Sequence, residues 1–416
     1  MNRLIAPNIV PLNQLITGFP SSNTNLYCIY SEDELFKLEI VCLKKGSNQA
    51  KDKHSRNFAI DLMLSGTKDL SSSEISEHID LLGAYIYKSF DYYSSSITLY
   101  GMQESADNLI GFTINCIKNC QYSQSELDVY KNNKLSELKI NLEKTSFLSN
   151  RGITELTYGK DHMNCDFLNE EKIKSINREE LIQINQQLFE DYFFVYTGPK
   201  TLDIEKIIKD NGYEIKTLSN NLYLNEIVPI NDSKQLVIKK EKSTQNSLRL
   251  SSIWPSRSDS SYFDLVLLNM VFGGYFGSRL MKNIREEKGL TYGINSSINS
   301  YLEYSVMKIN CECNSQLTET VIQEIWNEAE KLKTMLVSED ELNTAKNYLK
   351  GALIRSFDGS FTISEKFKSF KELQLKDNYY QEYFEHINAV SPDKIRELAN
   401  NYLDRKTFNL CIAGEH

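Results

Sequence analysis

The sequence predicts an α+β protein made of two similar α/β-roll halves, an internal duplication joined by a linker, and three observations carry that prediction. Two Ser-x-x-Glu-Leu helix starts, at Ser123 and Ser338, stand 215 residues apart. Glycines that close apolar strands, Gly198 and Gly414, are offset by 216, and the helix ends Leu188–Phe189 and Tyr402–Leu403 by 214. After a polar, Asn-rich stretch between Thr217 and Asp232, the order of strands and helices starts again. Landmarks in one register define a repeat. The expected domains are 1–220 and 235–416, with 221–234 as the linker. Two similar halves on a hinge make a cleft between them a natural expectation.

Within the first half, Phe36 to Leu43 alternates and then turns apolar, which predicts a strand. A helix follows over Arg56 to Leu64, closed by Ser65 and Gly66. Ser71 and Glu74 form a capping box for a second helix, Ile75 to Leu82, which Gly83 ends. Aromatic and β-branched stretches from Ala84 to Met102 predict a hairpin bending near Asp91. Helices are expected from Ser105 to Cys116, from Ser123 to about Leu142 and from Arg178 to Phe189, then a strand over Tyr192 to Tyr196. In the second half, strands are expected at Gln235 to Lys240 and Gln245 to Trp254, and a helix over Ser261 to Phe272. A helix from Arg279 stops at Gly289, where a left-handed residue lets the chain turn into the strand Leu290 to Ser296. A strand at Tyr304 to Cys313, helices at Thr318 to Met335, after Ser338 and at Pro392 to Leu403, and a closing strand at Phe408 to Ile412 complete it.

Bulk composition narrows the function classes. The 416 residues carry a net charge of −9 and no Lys/Arg-dense block, which argues against nucleic acid or an anionic membrane as partner. The opening residues have no continuous apolar run of signal-peptide type, and nowhere do eighteen apolar residues follow one another. Eight cysteines without a CxxC fit reduced, buried thiols, so a cytoplasmic location is expected.

The most informative stretch runs Gly273, Gly274, Tyr275, Phe276, Gly277, Ser278, Arg279, Leu280, and on through Ile284, Arg285, Glu286, Glu287, Lys288, Gly289, Leu290, Thr291 and Tyr292. The turn at Gly289 brings Arg285 and Tyr292 close in space, and a five-donor guanidinium beside a phenol suits a polarised carbonyl or carboxylate. The bland alternative is an ion-paired Arg and a half-buried Tyr. The glycine cluster lacks the Gly-Lys-Ser/Thr ending of a phosphate loop, so a sharp turn is expected. Arg279 is expected to anchor the helix start or pair with an acid, and Glu286 and Glu287 to form a solvated face.

This stretch resembles the insulinase-like, or pitrilysin-type, zinc metallopeptidases in their two-domain bacterial form. That family's second half shows a Gly-Gly-rich turn, Ser-Arg-Leu, then Arg-Glu-x-x-Gly-Leu-x-Tyr. Lys242 to Gln245, the helix with Glu341 and Leu342, and the Ala413–Gly414 ending also match. The resemblance implies that the family's His-x-x-Glu-His would fall on Asn57, Ile60 and Asp61, counted back from Gly66–Thr67. Two imidazoles at i and i+4 would share one face of a helix and hold zinc, with the Glu as general base. Here Asn57 is a weak neutral donor, Ile60 takes no proton, and Asp61 alone is no zinc site. Glu137 stands where the third ligand would be and is expected to be a solvated carboxylate. His54 and His78 are at no zincin spacing. The helix carrying these positions is expected to be core, like its counterpart Phe263 to Phe272.

Some relatives are paired chains, one carrying zinc and the other the Arg/Tyr element, which close as a clamshell around an extended peptide. The resemblance therefore implies half of a clamshell: the non-catalytic, substrate-positioning subunit of a heterodimeric zinc peptidase, inactive alone. It would bind no cofactor of its own, and zinc would belong to a His-x-x-Glu-His partner subunit. Arg285 and Tyr292 would act in trans on an unstructured peptide, contacting its backbone and the oxyanion. The alternatives are a non-enzymatic scaffold or a peptide-binding homodimer that kept the peptidase fold; a stand-alone zinc peptidase is disfavoured by Ile60.

Overall fold

The computed structural model describes residues 24–43, 52–189, 191–215, 228–230, 232–376 and 378–415. The opening peptide and most of the expected linker at 221–234 lie outside them. Two five-stranded sheets organise the chain. The first contains β1 (Leu26–Tyr30), β2 (Leu35–Leu43), β3 (Tyr85–Phe90), β4 (Ser94–Met102) and β5 (Tyr192–Gly198) in the order β1-β5-β2-β4-β3. The second contains β6 (Gln235–Lys239), β7 (Gln245–Trp254), β8 (Thr291–Ser300), β9 (Ser305–Asn314) and β10 (Asn409–Gly414) in the order β6-β10-β7-β9-β8. The two orders are the same with five added to each number. In each sheet the first pair, β1 with β5 and β6 with β10, is parallel and the other pairs are antiparallel. The fold is α+β with two similar halves.

The helices of the first half are α1 (Lys53–Leu62), α2 (Ser72–Leu81), α3 (Ala106–Lys118), α4 (Gln124–Leu142), α5 (Thr145–Tyr158), α6 (Glu170–Ser175), α7 (Arg178–Leu188) and α8 (Ile204–Asp210). The expected capping box is formed: the Ser71 hydroxyl accepts from the Glu74 N–H, and the Glu74 carboxylate accepts from the Ser71 N–H at 2.8 Å. The second half adds α9 (Tyr262–Asn269), which continues as a π-helical turn over Met270–Gly274, and α10 (Met281–Glu287), π-wound throughout. Then come α11 (Thr318–Thr334), α12 (Glu339–Arg355), α13 (Ser360–Glu372), α14 (Tyr379–Ala389) and α15 (Pro392–Tyr402). Ser338 caps α12 by accepting from the Glu341 N–H at 3.2 Å.

The chain forms two compact units that do not divide at a single point in sequence. Among the described residues, one comprises those within 24–138, 168–215 and 356–372, and the other those within 139–167, 228–355 and 373–415. Each sheet therefore carries a helix contributed by the other half of the sequence. In the first unit, Phe36, Leu38, Ile40 and Cys42 face the main core with Phe58, Leu109 and Ile114, and the opposite face of β2 lies under α13. There Lys37 and Glu39 are buried at 0% and 2% exposure. Lys37 Nζ lies 3.0 Å from Ser364 Oγ and 3.3 Å from a Glu39 oxygen, while Lys368 Nζ lies 3.1 Å from the other Glu39 oxygen. In the second unit Leu248 and Leu250 face the core, and α5 covers the far face of β7. Thr157 and Ser251 hydroxyls meet at 2.6 Å, and Arg249 Nε donates to Asn150 Oδ1 at 2.9 Å. Buried polar groups persist when each has a partner, and here the exchanged helices supply them.

Candidate functional site

Arg285 lies in the last turn of α10, whose apolar side, Leu280, Met281 and Ile284, is buried in the second unit's core. The wide winding shows in the Lys288 N–H, which donates to the carbonyl of Asn283 five residues back at 3.1 Å. Gly289 then takes φ +59°, and the Leu290 N–H reaches around it to the Ile284 carbonyl at 2.9 Å. Only a left-handed residue makes that reversal cheaply. Two further contacts fix the helix. Arg279 and Glu341 form a two-point ion pair, Nε to Oε1 at 2.7 Å and Nη2 to Oε2 at 2.9 Å, as expected for an anchoring arginine. At the other end Asn283 Nδ2 donates to Glu324 at 2.9 Å, and Lys288 pairs with the same carboxylate. These hydrogen bonds, the one from Lys288 first, hold the Glu324 carboxyl below its ordinary range.

The chain enters β8 through a bulge. Thr291 pairs with Cys313 and Gly293 with Glu312, leaving Tyr292 as the extra residue. The Thr291 hydroxyl donates to the Glu312 carbonyl at 2.5 Å and accepts the Gly293 N–H at 3.1 Å, which stabilises the kink. A bulge re-aims the side chain it inserts. Tyr292 is accordingly 89% exposed.

The bulge and the glycine turn bring three side chains together. The Arg285 guanidinium carbon lies 5.6 Å from the centre of the Tyr292 ring and 5.1 Å from that of Phe276, itself 61% exposed. Both rings are within cation–π range. No carboxylate among the described residues pairs with Arg285, so its N–H donors are not consumed by an internal ion pair. A half-buried guanidinium without a carboxylate partner, flanked by two exposed rings and a phenolic hydroxyl, can receive a carbonyl or carboxylate. Phe276 was missed as a site residue at the sequence level, although an aromatic residue between Gly274 and Gly277 on a tight turn is a readable signal. The glycines themselves serve packing: a Cβ at Gly273 would lie 2.5 Å from Ser296 Oγ. A cavity of about 620 Å³, bordered by Tyr275, Arg279, Lys282 and Glu341, touches neither Arg285 nor Tyr292.

The positions that would hold zinc in the first half do not fit the metal. Ile60 is 1% exposed and packs in the main core with Phe58, Ala59 and Leu62. Asp61 accepts a hydrogen bond from the Tyr130 hydroxyl, and its backbone carbonyl accepts from Lys88. Burial first, and then the Asp61 carboxylate, push the Tyr130 phenol far above its ordinary range. Asn57 is half-buried, and Glu137 is 58% exposed beside Lys134 Nζ at 3.2 Å. His54 precedes these positions on α1, and the His78 ring packs on Phe112 with centroids 4.0 Å apart. Among the described residues no group of three His, Cys, Asp or Glu side chains is placed to share a metal ion.

Comparison with known proteins adds an independent line. Residues 191–349 match the family described as the peptidase M16 inactive domain. The uncharacterized zinc protease YmxG of Bacillus subtilis is 24% identical over 353 residues, spanning 82% of this chain and 84% of that protein. The peptidase M16 inactive domain from Pseudomonas fluorescens superposes with a TM-score of 0.78 at 18% identity, over 94% of this chain and 96% of that one. A protease from Helicobacter pylori gives 0.80 at 13% identity, over 93% and 96%. These likenesses place the two-sheet fold among known structures.

Proposed function

For a chain that belongs to the insulinase-like, M16 peptidase family and lacks that family's zinc-binding sequence, we propose the role of a non-catalytic, substrate-positioning subunit in a heterodimeric zinc peptidase. The observation that carries the reading is an asymmetry within one chain. Half-buried Arg285 and exposed Tyr292 stand together on their turn, while Ile60 and Asp61 are absorbed into packing and a hydrogen bond. A scaffold has no need to hold an unpaired guanidinium beside an exposed phenol. In this reading Arg285 donates to a backbone carbonyl of an extended peptide, and the Tyr292 hydroxyl donates to the oxyanion that develops as the scissile carbonyl is attacked. Zinc belongs to a partner chain that carries His-x-x-Glu-His. The eight cysteines are all buried and none is in a disulfide, which supports a reducing, cytoplasmic compartment. Among the described residues no helix is long and apolar enough to cross a membrane.

The test is cleavage of a quenched, unstructured peptide by this chain, by a His-x-x-Glu-His companion from the same organism, and by the two mixed, each with zinc. Activity in the mixture alone, lost with Tyr292→Phe, supports the reading. A companion fully active by itself that never associates with this chain overturns it and leaves a peptide-binding or scaffold protein.

A further inference from the structure

A second cavity, in the same unit but with a different lining from the Arg285 turn, has a chemical character that the peptidase reading does not use. It has a volume of about 480 Å³, within the range of small-molecule sites. Arg257 reaches its wall just before α9, and Phe263 and Tyr379 form an aromatic side, their centroids 5.0 Å apart. The Arg257 guanidinium lies 5.9 Å from the Tyr262 ring. Its Nε is buried with no acceptor among the described residues.

Carboxylates also border this cavity, but each is engaged elsewhere. Asp259 accepts from the Ser261 N–H at 2.8 Å and its hydroxyl at 2.7 Å; Glu382 accepts from Asn378 at 2.8 Å and Glu385 from Gln381 at 3.0 Å. His386, a further wall residue, lies 3.5 Å from Asp264. Arg257 thus has the Tyr262 ring beside it and no carboxylate partner among the described residues. A half-buried arginine whose buried Nε lacks an acceptor is costly, and an anion that brings its own apolar surface would offset that cost.

We propose that this cavity binds a small monocarboxylate bearing an aromatic or branched apolar group, with Arg257 taking the carboxylate and Phe263 and Tyr379 packing on the apolar body. Guanidinium and carboxylate match as a fork of donors to a pair of acceptors, and the rings supply the contact area. Such a ligand is either a free aryl-substituted acid or the C-terminal residue of a peptide, since both present the same group.

The full chain is titrated calorimetrically with 3-phenylpropionate and with N-acetyl-phenylalanine, and in parallel with the amide of each. Saturable binding of at least one acid, weakened at least about tenfold in its amide, is the expected result. Tighter binding of N-acetyl-phenylalanine identifies the peptide C-terminus as the source, and tighter binding of 3-phenylpropionate a free acid. Arg257→Gln should weaken the acid by a similar factor. Should that variant fail to fold, Ser260→Trp, a change at an exposed residue of the cavity's rim, should weaken the acid by narrowing the entrance. No saturable binding up to about 20 mM, equal binding of acid and amide, or unchanged binding in a folded Arg257→Gln chain overturns the proposal.

Discussion

Tyr292 occupies the unpaired position of a β-bulge, and the guanidinium of Arg285, seven residues earlier, lies 5.6 Å from its ring centre. The hydroxyl of a side chain that is 89% exposed contributes little to folding. Tyr292→Phe should leave stability within about 0.5 kcal/mol of the parent chain, measured by urea unfolding. In a mixture with the proposed zinc-bearing partner the same change should lower turnover roughly 10²- to 10³-fold while assembly is retained.

The Arg279–Glu341 pair holds the turn. Its side chains are partly buried, at 17% and 28% exposure, and the pair is two-pronged. Arg279→Met should cost about 1–2 kcal/mol, less than a fully buried pair because solvent still screens it. A double-mutant cycle with Glu341→Gln checks this: a coupling near zero would show that the pair is incidental.

Acid should loosen the far end of α10. Lys288 and then Asn283 hold Glu324 below its ordinary value of 4.5, so the folded chain binds this proton more weakly than the unfolded chain does. The resulting stabilisation is complete above the unfolded value and is lost as pH falls through the depressed folded value. Unfolding free energies measured from pH 6 downward should decline less steeply in Glu324→Gln than in the parent.

Gly152 is the point where α5 lies tightest on the second sheet. A Cβ there would lie 2.6 Å from Cys411 Sγ and 3.0 Å from Leu236 and Ile238 side-chain atoms. Gly152→Ala should therefore destabilise by roughly 1–3 kcal/mol despite alanine's better helix propensity. A more stable variant, by thermal or urea unfolding, would show that the sheet yields.

Lys368 carries the corresponding load in the first unit. Burial opposes its charge, but Glu39, Glu372 and Asp91 outweigh that and raise its pKa. Stability from this group is present below the ordinary lysine value of 10.5 and is lost only as pH rises through the higher folded value. Lys368→Met leaves Glu39 buried with Lys37 as its remaining cation at 3.3 Å, and should cost about 2–4 kcal/mol at neutral pH. A loss under 1 kcal/mol in urea unfolding would mean that Lys37 alone suffices.

Much of the architecture was written locally. Ser71 with Glu74, Ser338 and Gly289 are signals that act within a turn or two of chain, and each does what its pattern announces. Strand and helix order repeats because both halves alternate the same apolar faces, so the duplication is legible in the sequence. The Arg285 and Tyr292 spacing was legible for the same reason, since one glycine turn joins them. Helices α5 and α13 were not recognised, because their inward faces carry Thr145, Asn150, Ser364 and Lys368, residues that read as solvent-facing until the surface opposite them is known. Lys37 and Glu39 likewise look like the wet side of a half-buried strand, and only a helix arriving from more than 300 residues away makes that side interior. The bulge at Tyr292 and the approach of Phe276 also depend on how β8 meets β9 and on where the glycine turn packs. Local sequence determined which elements form and where they stop; tertiary structure decided which polar side chains were buried, because burial depends on the partner surface and not on the segment alone.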